Sequence, residues 1–477
     1  MLPQKGRTRE DILATVAAYR EGDLDWKSGR TFGFVYDPGH AASEIGKEVY
    51  ASFLTENGLD PTSFPSLRRL ENEVVAMARA QVRGGPEVVG TFTSGGTESI
   101  MLAVKAARGW AKQHRPKVDV PEMILPLTAH AAFYKAADYL GVRAVPVAVD
   151  ARTFCADPDA IRAAMTDRTV LLVGSAPSYA HGVVDPIPAI AALAAERGIL
   201  CHTDACVGGW LLPWFRKLGV AMPDYDFAVP GVTSISMDLH KYAFCPKGAS
   251  MLLCKDGALR KHHVFANATW TGYSVVNTAV QSSKSGGPIA AAWAVMNALG
   301  DDGYAGIAQQ MHACTRGIVE GLRKIEGLSV LGEPQMALVA IASSRGSVFH
   351  MADEMKERRW YVQPQLRRGP SPENLHLTIG PTNARWVEAF LADLAASAAA
   401  AEKLPPSAMA AQIAQMFATM DPASVPDDTV AGMMGMAGAK DGALPGRLAE
   451  VNQILNALPP ALVERALIEF MGQLFRS

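Results

Sequence analysis

The chain has 477 residues, is 49% hydrophobic and 19% charged, and carries a formal net charge of −2. That balance describes an ordinary globular protein and gives no reason to expect nucleic acid or an anionic membrane as a partner. Six cysteines (positions 155, 201, 206, 245, 254 and 314) form no C-x-x-C pair, which argues against a zinc site or a disulfide framework and predicts reduced thiols in the cytoplasm.

In chain order, residues 8–22 predict a helix with Ile12, Leu13, Val16 and Tyr19 on one face. The N-terminus is charged and amphipathic rather than signal-like, and no apolar run reaches the roughly 20 residues needed to cross a bilayer. Next comes an aromatic, Gly-rich arm, D-W-K-S-G-R-T-F-G-F-V-Y-D-P-G-H, which cannot bury itself alone. It is expected to lie across the main domain or a partner subunit, where Tyr36 and His40 either reach a site or simply pack. Helical periodicity returns over Ser43–Leu54 and Pro65–Val82. From Val88 strands alternate with helices, the mark of an α/β domain with a mostly parallel sheet. Expected strands are Met123–Leu127, Ala144–Val149, Val170–Gly174, Ile199–Thr203 and Ile235–Met237, with a helix Ile187–Arg197 stopped by Gly198. A helix Tyr304–Ile325, mixed segments to Ile379, an Ala-rich helix Ala384–Glu402 and broken helical pieces complete the chain. Met433–Gly438, M-M-G-M-A-G, is expected to pack softly against helices rather than to hold a cofactor.

Four stretches carry chemistry. T-F-T-S-G-G-T-E-S-I, from Thr91 to Ile100, is a strand, a glycine turn and a helix start, the arrangement whose free N–H groups receive an anion. Gly95 and Gly96 allow close approach and Thr97 adds a hydroxyl donor. His130 follows the Met123–Leu127 strand among small residues, which let a flat imidazole lie against a flat ring; taken alone, such a histidine more often caps a helix or packs. Asp204 ends a strand in L-C-H-T-D-A-C, where ligands of open α/β sheets bind, and can keep a pyridine nitrogen protonated; the structural alternative is a helix N-cap. His202 either orients that carboxylate or packs beneath it. Lys241 closes the apolar run T-S-I-S-M-D-L-H-K, with Ser236, His240 and Lys247 near in sequence. A lysine there is costly unless paired, neutralised or covalently used. In this order the four suit one task, holding pyridoxal phosphate on a lysine.

The set S-G-G-T-E-S, T-A-H-A-A-F, H-x-D-A-C-x-G-G and S-I-S-x-D-x-H-K-Y-x-x-x-P-K-G resembles sphingosine-1-phosphate lyases, a branch of the group II decarboxylase-like enzymes of fold type I. The resemblance is good from Phe64 to Gly303, including F-P-S-L-R-R and S-G-G-P-I-A-A-A-W, and weak beyond. It implies an α/β fold with a helical N-terminal arm (1–55), a large cofactor-binding domain (56–300) and a smaller C-terminal α+β domain (301–477). It implies Lys241 as the Schiff-base lysine, Asp204 as the pyridine partner and His130 stacked on the ring. Ser94, Gly95, Gly96, Thr97, Ser236, His240 and Ser283 would lie near the cofactor, mainly its phosphate. Lys247 would bind a substrate phosphate, and Tyr36 loosely matches an active-site tyrosine of the family. Homodimers sharing active sites are also implied.

Two departures concern the substrate. Leu59-Asp60-Pro61-Thr62 replaces L-H-S-D, and Ser282-Ser283-Lys284-Ser285-Gly286-Gly287 replaces G-S-R-P-G-G, so that lysine stands in for a bidentate arginine. The expected reaction is carbon–carbon cleavage of a phosphorylated sphingoid base, with Lys247, Tyr36 or a substrate phosphate oxygen as base. The rivals are an amino-acid decarboxylase, a lyase for a smaller β-hydroxy amine or amino acid, an aminotransferase using Arg367, Arg368 or Arg385, and a non-catalytic scaffold.

Overall fold

The computed structural model describes residues 2–417, 421–426, 429, 432 and 444–475; the Met433–Gly438 segment lies outside them. Seven strands make one sheet: β1 (Val89–Thr93), β2 (Glu122–Pro126), β3 (Arg143–Val147), β4 (Thr169–Ser175), β5 (Leu200–Asp204), β6 (Ser234–Met237) and β7 (Ser250–Cys254). Their order is β1-β7-β6-β5-β4-β2-β3. The run from β3 to β6 is parallel, while β7 is antiparallel to both β6 and β1.

Both faces of the sheet are covered, and alternate residues divide between two cores. Met123, Leu125, Leu171, Val173 and Leu252 pack on one side with the helices Gly96–His114 and Ala132–Leu140. Ile124, Leu172, Ile235, Met251 and Leu253 pack on the other, with Pro65–Gln81 and Ile187–Glu196. The five expected strands are present within a residue or two. The sequence pattern does not predict β7, because a strand buried on both faces reads as a plain apolar run, S-M-L-L-C, without alternation. Gly198 ends the Ile187–Glu196 helix at φ 59°, a left-handed backbone that favours glycine.

A surface hairpin, β8 (Phe265–Asn267) and β9 (Val275–Asn277), precedes a strap of residues 278–285. The strap leads into the 37-residue helix Gly286–Leu322, which absorbs the expected Tyr304–Ile325 helix and breaks at Gly300 (φ 58°, ψ −176°). Beyond it, β10 (Leu328–Val330), β11 (Leu338–Ser343), β12 (Gln363–Gln365) and β13 (Asn374–Thr378) form an antiparallel sheet in the order β10-β11-β13-β12. The Ala-rich helix runs Val387–Ala401. A third core, including Ile413, Phe417, Ile454 and Leu462, joins the C-terminal helices.

The N-terminal arm lies on this second region. Phe32 is buried against Phe390 and Trp360, with ring centroids 4.5 and 6.1 Å away. Its N–H donates to the Tyr361 carbonyl at 2.9 Å, and Asn383 Nδ2 donates to the carbonyls of Gly29 and Thr31 at 2.9 and 3.1 Å. The arm therefore fixes Tyr36 in place. The preceding helix, Arg9–Tyr19, buries none of its residues, and Ile12, Leu13, Val16 and Tyr19 are exposed.

Candidate active site

The carboxyl ends of the parallel strands converge on a cavity of about 410 Å³. Strand register sets Ser175 of β4 beside Asp204 of β5, and Asp204 beside Ser236 of β6. The loop after β2 brings His130, the β1 turn brings Ser94, Gly95, Gly96 and Thr97, and the turn after β6 brings Asp238, His240 and Lys241. One wall is Pro177 and Tyr179, from the loop after β4. The cavity lies where open α/β sheets bind ligands.

Lys241 Nζ is 2.8 Å from Asp238 Oδ2, and Ser250 Oγ donates to Asp238 Oδ1 at 2.6 Å. Burial opposes the charge on Lys241, yet the Asp238 carboxylate holds its pKa above the ordinary lysine value. Burial likewise opposes the charge on Asp238, and Lys241 outweighs it, keeping the carboxyl below its usual range. Asp204 is 7% exposed; its Oδ1 accepts from the Cys206 N–H at 3.1 Å and from Ser236 Oγ at 3.2 Å. His202 lies beneath, with Nε2 3.1 Å from Ser236 Oγ and Nδ1 2.8 Å from Ser234 Oγ, and burial lowers it to about 4. A neutral imidazole thus orients Ser236, and Ser236 orients the carboxylate. His130 is exposed at the mouth, its Nδ1 accepting from the Ala132 N–H at 3.1 Å, which leaves the ring face free.

The expected residues do not all meet. Ser236 lies under Asp204, bonded to its carboxylate, and is fully buried, outside the cavity lining. Ser283 is exposed on the strap and does not line this cavity. Lys247 Nζ lies 5.1 Å from the Tyr36 ring centroid, and Tyr36 packs edge-on against Tyr242 at 4.9 Å. Both stand near Lys241: desolvation, then Lys241, lowers the pKa of Lys247, while burial raises that of Tyr36 despite Lys241. His40 is solvent-exposed and faces Glu44 at 3.7 Å. Lys284 spends its charge on Glu71 at 2.6 Å, and Asp60 accepts from the N–H and hydroxyl of Thr62 at 2.8 and 2.6 Å. Arg367, Arg368 and Arg385 are outside the cavity lining.

Sequence reasoning missed Asp238, Tyr179, Ser175 and Glu98. Tyr179 donates to Gln363 Oε1 at 2.8 Å, and its ring lies 4.3 Å from that of His376. The available signal was position: S-A-P-S-Y follows the expected strand Val170–Gly174 at its carboxyl end, as Asp204 follows its own.

Residues 22–343 match the family model described as the pyridoxal-dependent decarboxylase conserved domain, and a second model, for the C-terminal HTH segment of pyridoxal-dependent enzymes, matches residues 410–473. The sphingosine-1-phosphate lyase of Dictyostelium discoideum is 36% identical over 82% of this chain and 73% of its own. The chain belongs to the sphingosine-1-phosphate lyase family of pyridoxal-dependent enzymes. A solved sphingosine-1-phosphate lyase of Burkholderia pseudomallei superposes with a TM-score of 0.80 at 35% identity, covering 88% of this chain and 97% of that one. A probable L-aspartate decarboxylase of Pyrococcus abyssi is 31% identical over 82% of this chain and 98% of its own.

The cavity fits the cofactor of these pyridoxal-dependent lyases. Ser175 and His240 line it, and among the described residues Ser175 Oγ and His240 Nδ1 have no hydrogen-bond partner, as expected of groups facing a ligand. A Cβ on Gly96 would stand 2.7 Å from Asp238 Oδ2 and 3.0 Å from Cys206 Sγ, so only glycine lets the anion turn sit on the lysine turn.

Burial also predicts a pH dependence. His181, His202, His240, His263 and His376 are each lowered from 6.5 to about 4 by desolvation. Between those values the unfolded chain binds protons that the folded one refuses, so this stability is fully present above about pH 6.5 and is lost as pH falls toward about 4. Urea midpoints of the cofactor-free protein at about pH 7.5 and about pH 5 should differ, the acidic one being lower. Equal midpoints would contradict the burial of these rings.

Proposed function

We propose that this enzyme cleaves the Cα–Cβ bond of a phosphorylated sphingoid base, releasing a long-chain aldehyde and phosphoethanolamine. The observation that carries the proposal is the convergence of Lys241, Asp204, His130 and the Ser94–Thr97 turn on one cavity, with Lys247 and Tyr36 grouped beside Lys241. Pyridoxal phosphate, when bound, supplies the electron sink for the bond that breaks. Lys241 would hold the cofactor covalently until substrate amine displaces it. Asp204, with Ser236 and His202 behind it, keeps a proton on the ring nitrogen. His130 covers the ring face, and the N–H groups of the turn, with His240, hold the phosphate. Lys247, its pKa lowered, is placed either to bind a substrate phosphate or to take the hydroxyl proton, which must leave as the carbon–carbon bond breaks.

The active form in this reading is a cytoplasmic homodimer whose sites share residues. Supporting it are the exposed Trp270, Tyr273 and Val276 around the hairpin, next to the strap that carries Ser283. Among the described residues no helix is long and apolar enough to cross a membrane, and the six cysteines are free. We also propose a division near residues 55 and 300; the helix break at Gly300 supports the second boundary.

The test is product analysis with a phosphorylated sphingoid base. Aldehyde and phosphoethanolamine should appear in equal amounts and vanish in Lys241→Ala. Carbon dioxide from amino acids such as aspartate, with neither of those products, would instead establish the decarboxylase alternative suggested by the Pyrococcus relative.

A further inference from the structure

Glu98 places a carboxylate, 7% exposed, in the first turn of the helix whose N-terminus would receive the cofactor's phosphate. A second anion beside that site needs its charge fully engaged. Both oxygens are. Oε2 accepts from the N–H and hydroxyl of Ser94 at 2.6 and 2.7 Å. Oε1 accepts from the N–H groups of Val280 and Gln281 at 2.6 and 3.3 Å. One oxygen therefore shapes the phosphate turn and the other anchors the strap. The far end of the strap is held by the Gly58 N–H on the Lys284 carbonyl at 2.7 Å and by the Lys284–Glu71 pair. Its near end rests on Glu98.

We propose that Glu98 is a positioning residue that couples the phosphate turn to the strap of residues 278–285, so that binding pyridoxal phosphate and ordering the strap favour one another. This rests on the cofactor reading above. A rigid carboxylate shared by two segments cannot shift toward one without loosening the other, and charge-assisted bonds make the loss large. Coupling of this kind is reciprocal: a change in the strap must alter cofactor affinity.

The test uses the full chain, a pyridoxal phosphate titration and hydrogen exchange of residues 278–285 with and without cofactor. Val280→Pro deletes one N–H donor outside the cavity and is expected to raise the cofactor Kd about tenfold, the scale of one charge-assisted hydrogen bond. Val280→Ala, which keeps the donor, should bind as wild type. Cofactor should slow strap exchange in wild type but not in Glu98→Gln, where one side of the carboxylate becomes a donor facing donors. Val280→Pro with fast strap exchange and wild-type Kd would overturn the coupling. So would Glu98→Gln that weakens cofactor binding yet keeps the wild-type cofactor effect on the strap. A wild-type protein that takes up no pyridoxal phosphate would overturn the cofactor reading itself, and is distinguished by that titration alone.

Discussion

Lys241→Ala is expected to reduce turnover by on the order of 10⁴-fold or more and to remove the visible absorbance of the lysine-bound cofactor. Among the described residues no other lysine lines the cavity to replace it: Lys247 stands beside Tyr36. The variant also carries a stability cost. Asp238, 2.8 Å from Lys241 Nζ, would keep a buried charge without its cation, a loss of about 3–5 kcal/mol that its bond from Ser250 offsets in part. Adding Asp238→Asn removes the stranded charge, and should recover much of that stability with no recovery of turnover. Urea unfolding and product assays on the single and double variants separate the two effects. Near-normal turnover in Lys241→Ala would end the assignment.

Asp204→Ala should weaken cofactor binding and lower the rate by about 10² to 10³-fold, the scale of removing one preorganised electrostatic partner. The carboxylate is held by the Cys206 N–H and Ser236 Oγ, so its place does not depend on ligand, and alanine leaves those two donors facing a gap. Asp204→Asn keeps the shape and removes the charge. Equal losses in both variants would assign the effect to charge, as expected if the residue keeps a ring nitrogen protonated. An unaffected rate in Asp204→Ala would mean that the ring lies elsewhere.

The legible residues share a property. Lys241, Asp204, His130 and the Ser94–Thr97 turn each sit at a junction where an apolar run stops at a polar or glycine residue, and such junctions mark strand ends in a one-dimensional string. Asp238 stood in plain view within S-M-D-L-H-K, but nothing local says that its carboxylate turns back onto the lysine three residues on. Tyr179 and Glu98 take their meaning from partners far along the chain: Gln363 for one, Val280 and Gln281 for the other. Ser236 shows the opposite case. Nearness to Lys241 in sequence suggested a shared phosphate, whereas strand pairing turns it toward Asp204.

By itself the sequence determined the α/β class, the strands of the parallel sheet and the identity of the cofactor, because each rests on local patterns: hydrophobic period, chain-breaking residues and the chemistry of short motifs. Only the tertiary structure decided which groups face one another. Strand register set Ser175, Asp204 and Ser236 side by side, and the β6-to-β7 turn laid Lys241 on Asp238. Packing of the arm against Phe390 and Trp360 set Tyr36 beside Lys247, and the strap closed on Glu98. The reason is physical: apart from the Lys241–Asp238 pair these contacts join segments far apart in the chain, and the geometry of all of them follows from pairing and burial that no local pattern encodes.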